Sequence, residues 1–160
     1  MKLIKTALAF LLCLLFLAGC SSQKEIANPD KIADELKAYS NENPNWVEIE
    51  KDKLSSYFGF SDEILSDFSV HINNSEEYFD IIAVFKLADL SKKEEIIKGI
   101  NFLSTYTEAN YKIASEAQSN KIANKIVAQA DNTIILCVID NYSPIKTYLT
   151  EELNAKILSK

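Results

Sequence analysis

The sequence predicts an α+β fold: a two-layer domain in which a four-stranded, mainly antiparallel sheet of two hairpins packs with helices, in the order α-α-β-β-α-β-β-α. Three observations carry this expectation. Phe68, Val70 and Ile72 alternate with Ser69, His71 and Asn73, and a second apolar run opens at Tyr78, as paired strands require. The period then turns helical at Ile96, Ile97, Ile100 and Leu103. Beyond that helix, Ile126 to Ala130 and Thr133 to Asp140 flank Asp131-Asn132, a two-residue connection of the kind that joins hairpin strands. Two hairpins separated by a helix favour one antiparallel sheet with its helices packed on it.

The first element is a leader. Lys2 and Lys5 form a positive n-region, and Ala7 to Ala18 follow without a charge or a strong polar group. A spanning helix needs about 20 apolar residues, and a run of about 12 reaches only about 18 Å, so this segment is too short to cross a bilayer. Leu17-Ala18-Gly19-Cys20 looks like the lipobox read by lipoprotein signal peptidase. The small Ala18 and Gly19 let the backbone enter a protease, and a thiolate is the nucleophile that a thioether linkage needs. In proteins with this motif the cysteine receives a diacylglyceryl group and becomes the first mature residue. The expected organisation is a signal peptide over 1–19, a lipidated Cys20 with a polar linker over 20–28, and one globular domain over 29–160. By square-root scaling the linker reaches about 15 Å, which holds the domain beside the outer face of the membrane.

Within the domain, Asn28 and Pro29 supply an N-cap and a first-turn proline, with Ile32, Leu36 and Tyr39 on one helical face through Ser40. Asn41 to Asn45 break that helix. A shorter helix covers Lys51 to Phe58, with Gly59 as its left-handed terminator, and Ser61 to Ser66 add a further turn. Asn73 to Glu77 connect the first hairpin. Its second strand, Tyr78 to Leu87, carries Phe79, Ile81, Ala83 and Phe85 on one face and Ile82 and Val84 on the other, the pattern of a central strand covered on part of both faces. Ser91-Lys92-Lys93-Glu94 reads as a capping box ahead of the long helix, which extends to Ala109 and through Asn110 to Lys121. Ser143-Pro144 opens the closing helix, with Ile145, Tyr148, Leu149, Leu153 and Ile157 on its inner side.

Composition narrows the functional classes. The chain has a formal charge of −6, and losing Lys2 and Lys5 with the leader makes it −8. An acidic surface repels nucleic acid and anionic headgroups. All 17 basic residues are Lys, so no bidentate guanidinium is present for phosphate recognition. Outside the leader stand two glycines, Gly59 and Gly99, too few for a phosphate-cradling loop. One histidine and one remaining thiol, far apart in sequence, make neither a zinc site nor an internal disulfide. No metal or other cofactor is implied.

Asp80-Ile81-Ile82-Ala83-Val84-Phe85-Lys86 and the capped helix after it resemble a family of small, clostridial-type lipoproteins catalogued as domain of unknown function four-three-five-eight. Tyr57-Phe58-Gly59-Phe60 and the strand pair ending in Ile134 to Asp140 fit the same pattern. The resemblance spans roughly Asp30 to Leu158 and departs after Tyr111, where Lys112 and Ile113 stand near an expected proline. It implies an architecture and an address, with no activity to carry over.

Candidate chemical groups are few, and no catalytic residue is assigned. His71 alone titrates near neutrality unaided, and its strand setting reads as a solvated or hydrogen-bonded histidine. Cys137, between Leu136 and Val138, reads as inert packing. Asp80, with Glu76 and Glu77, reads as a solvated strand end, although paired carboxylates can cleave glycans. Trp46 reads as a plug between helix and sheet. These readings favour an extracytoplasmic, membrane-anchored module that binds an envelope protein, a peptide or a small ligand. An envelope hydrolase using carboxylates is the alternative; an exposed aromatic patch would mark the first and a concave carboxylate pocket the second.

Overall fold

The computed structural model of the chain describes residues 28–40, 45–74 and 78–158. The expected leader, Leu17, Ala18, Gly19, Cys20 and the linker up to residue 27 lie outside the described residues, as do the centre of the 41–45 break and the turn holding Glu76 and Glu77.

Helix α1 (Pro29–Lys37) starts as its sequence dictates: Asn28 Oδ1 accepts from the Asp30 N–H at 2.7 Å, and Pro29 fills the first turn. It buries Ile32, Ala33 and Leu36, and ends one turn before Ser40. A two-residue strand, β1 (Val47–Glu48), follows. Next comes a 3₁₀ turn over Lys51–Lys53 and helix α2 (Leu54–Phe58), closed by Gly59 at φ 73°. The left-handed conformation costs glycine little, and Gly59 N–H donates to the Ser55 carbonyl at 2.8 Å.

The first hairpin joins β2 (Leu65–Asn74) to β3 (Phe79–Leu87), with a bulge between Leu65 and Asp67. The long helix α3 (Lys93–Ala114) and the short α4 (Glu116–Ala123) come next, separated at Ser115, whose extended backbone interrupts the helix and whose hydroxyl caps α4. The second hairpin is β4 (Ile126–Ala130) and β5 (Thr133–Val138), with Asp131 at φ 47° in its turn. Helix α5 (Tyr142–Thr147) widens into a π turn over Tyr148–Glu152, and β6 (Lys156–Ile157) ends the described chain.

The fold is α+β with one antiparallel sheet, but it corrects the expectation in three respects. Among the described residues the sheet has six strands, in the order β1-β2-β3-β5-β4-β6. The two additional strands are edge pairs of two residues each, β1 on His71 and Ile72 and β6 on Ala128 and Gln129, too short to show an alternating pattern. Helices cover both faces, giving three layers rather than two. Leu54, Phe58, Ile96, Ile100 and Leu103 pack on the face of Phe79, Ile81, Ala83, Phe85, Ile134 and Leu136. Ile32, Ala33, Leu36, Ile145 and Leu149 pack on the face of Ile82, Val84, Ile135 and Cys137. Both hairpins carry apolar residues at both parities, so either face left in water would forfeit burial worth about 25 cal/mol per Å².

The element order differs accordingly, with a strand after the first helix, the long helix split in two and a strand at the end. The closing helix is the largest local correction. Asn141, not Ser143, precedes it, and Asn154 at φ 52° turns the chain so that Ile157 pairs with Ala128 instead of extending a helical stripe. Ser91 does not cap the long helix: a 3₁₀ turn over Leu90–Lys92 leads into it, and Asp89 caps that turn, its carboxylate accepting from the Ser91 N–H and hydroxyl, both at 2.8 Å. Those two hydrogen bonds hold the Asp89 carboxyl below the usual carboxylate range.

Gly99 permits the closest contact of the first core. A Cβ there would meet the Phe58 carbonyl oxygen at 2.5 Å and the Phe60 ring at 2.6 Å. Those rings form a cluster with Phe85, with centroids 5.1 to 5.5 Å apart. Gly99→Ala therefore destabilises the domain by about 1–3 kcal/mol of overpacking, despite the better helix propensity of alanine. A thermal melt with an equal or higher midpoint would contradict the close approach.

Candidate functional site

The residues able to carry chemistry fall in two buried places, and the exposed apolar groups include a pair on one helix. His71 and Ser69 both point from β2 toward the α1 side of the sheet, opposite to Val70 and Ile72. The Ser69 Oγ and His71 Nε2 lie 3.1 Å apart, a nucleophile-and-base spacing. Ser69 is only 1 % exposed, however, so no substrate carbonyl can reach its oxygen. Above the pair lies α1, with the Asp34–Lys37 ion pair at 2.7 Å, and beside it lies Glu48 in register with His71. Burial first, then the Lys37 charge, lowers the imidazole pKa, against the opposite pull of Glu48, Asp34 and Asp30. A neutral histidine favours the fold: its contribution is full above the ordinary value of 6.5 and declines as pH falls from there toward the lowered one. Of the two settings foreseen for His71, the hydrogen-bonded one holds.

Asp80 corrects its expected setting. It is buried, not a solvated strand end: Oδ1 accepts from Lys121 Nζ at 2.6 Å and Oδ2 from Asn73 Nδ2 at 3.0 Å. Neighbouring bonds fasten α4 to the same end of the sheet. Gln118 Oε1 accepts from the Phe79 N–H at 3.2 Å, and the Tyr142 hydroxyl donates to the Lys121 carbonyl at 2.8 Å. Tyr111, near the end of α3, donates its hydroxyl to the Tyr78 carbonyl at 2.9 Å. Asp80 was legible as an interruption of an apolar strand, whereas Lys121, 41 residues away, gave no signal of its own.

Cys137 is enclosed in the second core, and burial pushes its thiol up to about 12, so it is a protonated packing group at neutral pH. Trp46 is half-buried against the same core, in the sealing position expected of it. Among the described residues no group of three or more His, Cys, Asp and Glu is placed to hold a metal ion, and no helix is long and apolar enough to cross a membrane.

The outer surface of α3 differs from these interior sites. Phe102 and Tyr106, one turn apart, are 61 % and 65 % exposed. Their exposed neighbours from residue 101 onward, Asn101, Thr105, Ala109 and Asn110, carry no charge, and exposed Lys98 stands one turn before Phe102. Nothing in the alternation or capping pattern singled out this surface; its signal was two aromatics four residues apart, off the buried stripe of Ile96, Ile100 and Leu103.

Comparison with known proteins gives one match: the family described as Domain of unknown function (DUF4358) aligns with residues 37–139. The matched stretch runs from the last residue of α1 to just beyond β5, narrower than the resemblance read from sequence. No curated protein and no solved structure matches the chain.

The buried pair generates a stability prediction. Lys121→Met leaves the Asp80 carboxylate buried with Asn73 alone and costs about 3–5 kcal/mol, whereas Asp80→Asn with Lys121→Met recovers most of the loss. Urea unfolding followed by far-ultraviolet circular dichroism measures both, and a single variant as stable as the wild type would contradict the pairing.

Proposed function

The chain belongs to the family described as Domain of unknown function (DUF4358), and on that footing we propose that it is an extracytoplasmic lipoprotein, anchored through Cys20, whose domain is a non-catalytic binding module. The observation that carries the binding role is the exposed, uncharged aromatic face of α3 at Phe102 and Tyr106. Interface centres are depleted in charge and enriched in aromatic side chains, and this face has that composition in a chain that is a quarter charged. The side chains with chemical potential, in contrast, serve the interior. His71 and Ser69 bond to each other beneath α1, Cys137 is sealed in the core, and both Asp80 oxygens are taken. The same occupancy of Asp80 weighs against a carboxylate hydrolase built on that strand end.

The anchor rests on Leu17-Ala18-Gly19-Cys20 and the apolar run before it. One acyl chain binds a bilayer only marginally, with an association constant of about 10⁴ M⁻¹, and a diacylglyceryl group supplies a second chain at about 0.8 kcal/mol per buried methylene. The linker has no polybasic cluster to help.

One experiment tests both parts. Membranes from cells making the full chain are washed in high salt, dissolved in mild detergent and run on a native gel. Wild type is expected in the washed membranes, migrating more slowly than a monomer. Cys20→Ala leaves the membrane fraction or remains an uncleaved precursor, and Phe102→Ser with Tyr106→Ser stays in the membrane but migrates as a monomer. A Cys20→Ala chain of mature size retained on washed membranes would overturn the anchor; a double variant with wild-type mobility would overturn the binding face.

A further inference from the structure

Most helices around the sheet are seated by apolar side chains, and α4 departs from that pattern. α1 buries Pro29, Ile32, Ala33 and Leu36, and α2 buries Leu54 and Phe58. α4 instead buries Gln118, Ser119, Lys121 and Ile122, a single apolar group among four. It packs chiefly beside α3 rather than flat on the sheet. The burial of Ile122 contributes about 1.5–3 kcal/mol. The rest of its hold is polar: the Lys121–Asp80 ion pair at 2.6 Å, the Phe79 N–H on Gln118 Oε1 at 3.2 Å, and the Tyr142 hydroxyl on the Lys121 carbonyl at 2.8 Å. A buried ion pair adds little net stability while it is intact, because each charge gives up its hydration to form it.

α4 is also bounded at both ends. Ser115, extended at φ −156° and ψ 110°, stops the hydrogen-bond ladder of α3, and its hydroxyl accepts from the Gln118 N–H at 3.3 Å. Asn124 closes the other end, its N–H donating to the Asn120 carbonyl at 3.0 Å and its side-chain amide to the same oxygen at 2.8 Å. An isolated helix shorter than about 12–15 residues is marginal in water, and α4 has eight. Once its polar contacts part, it therefore unwinds, and neither the ladder of α3 nor the pairing of β4 has to break with it.

We infer that α4 is a polar latch, which opens and unwinds as a unit between Ser115 and Asn124 while the sheet stays folded. In the closed state the Lys121 ammonium occupies the carboxylate site that Asp80 presents on β3. In the open state Asp80, still bonded to Asn73, faces water together with the place that Ile122 fills in the first core. Lys121 is thus an occupant supplied by the chain itself, and the domain has a second state in which a buried carboxylate becomes accessible.

Thiol labelling of the full chain in mild detergent tests the latch, with Cys137 as the internal reference. Cys137 is sealed in the second core and reacts only when the whole domain unfolds. Ser119, buried on α4, is changed to cysteine, and maleimide uptake at each thiol is followed by peptide mass spectrometry. In Ser119→Cys the introduced thiol is expected to react about a hundredfold faster than Cys137, and added urea speeds Cys137 more steeply, because a local opening exposes less surface. Adding Lys121→Met speeds the introduced thiol by about a further tenfold, since an unpaired Asp80 favours the open state. Equal rates with equal urea dependence at the two thiols overturn the latch, because α4 then opens only with the whole domain. Hydrogen exchange of the unaltered chain gives a reading free of the cysteine substitution: the amides of Ser119 to Asn124 are expected to exchange at a lower free energy than those of Ile81 to Phe85. Equal free energies overturn the latch, and amides of α4 with no protection at all overturn its closed state.

Discussion

Strand β3 imposes the condition that the other elements meet. Its side chains are apolar at both parities, with Phe79, Ile81, Ala83 and Phe85 on one face and Ile82 and Val84 on the other, all buried. β5, its neighbour, is buried along its whole length as well. A sheet with such a centre cannot leave either side in water, because each exposed branched or aromatic side chain forfeits about 1.5–3 kcal/mol. Helices α2 and α3 answer this on one side and α1 and α5 on the other. Gly99 and the phenylalanine cluster show how tightly the first of those layers is seated.

The same requirement determines what becomes of the polar residues on the sheet. Asp80 and His71 occupy the α1-facing parity of the central strands, where covering helices remove them from water. Each therefore needs a local partner: Lys121 and Asn73 for Asp80, Ser69 for His71. An isolated buried charge is far more costly than a buried polar group with its hydrogen bonds made. Groups that look reactive in isolation thus hold α4 and β2 in place, and the α3 surface, outside the layers, keeps aromatic side chains free for contact.

Much of this was legible in the sequence. The N-cap of α1, the Gly59 terminator, both hairpins and the double-sided character of β3 all arise from interactions within a few residues, which spacing reports. The third layer was implied by β3 and was underestimated, since the two parities of one strand do not say which helix covers which face. β1 and β6 were invisible because two residues have no period, and their pairing is set by the ends of long hairpins. The closing helix stops short at Asn154, whose left-handed backbone, which asparagine tolerates better than most residues, turns the chain toward β6; a lone Asn among helical spacings did not mark that turn. At the candidate site Asp80 could be seen to interrupt an apolar strand, but its partner lies on a helix whose docking depends on the finished sheet. The aromatic ridge was visible as spacing, yet only burial of the rest of α3 showed that it faces outward.

The central claim is that β3 is the twice-covered axis of the fold, and native-state hydrogen exchange tests it most directly. The amides of Ile81 to Phe85 on β3, with those of Ile134 to Cys137 on β5, are predicted to exchange only through global unfolding, at the free energy found by denaturant titration. Those of β1 and β6 exchange through local opening, orders of magnitude faster. If β3 exchanged as readily as the edge strands, the layered core would not be the structure on which the rest depends.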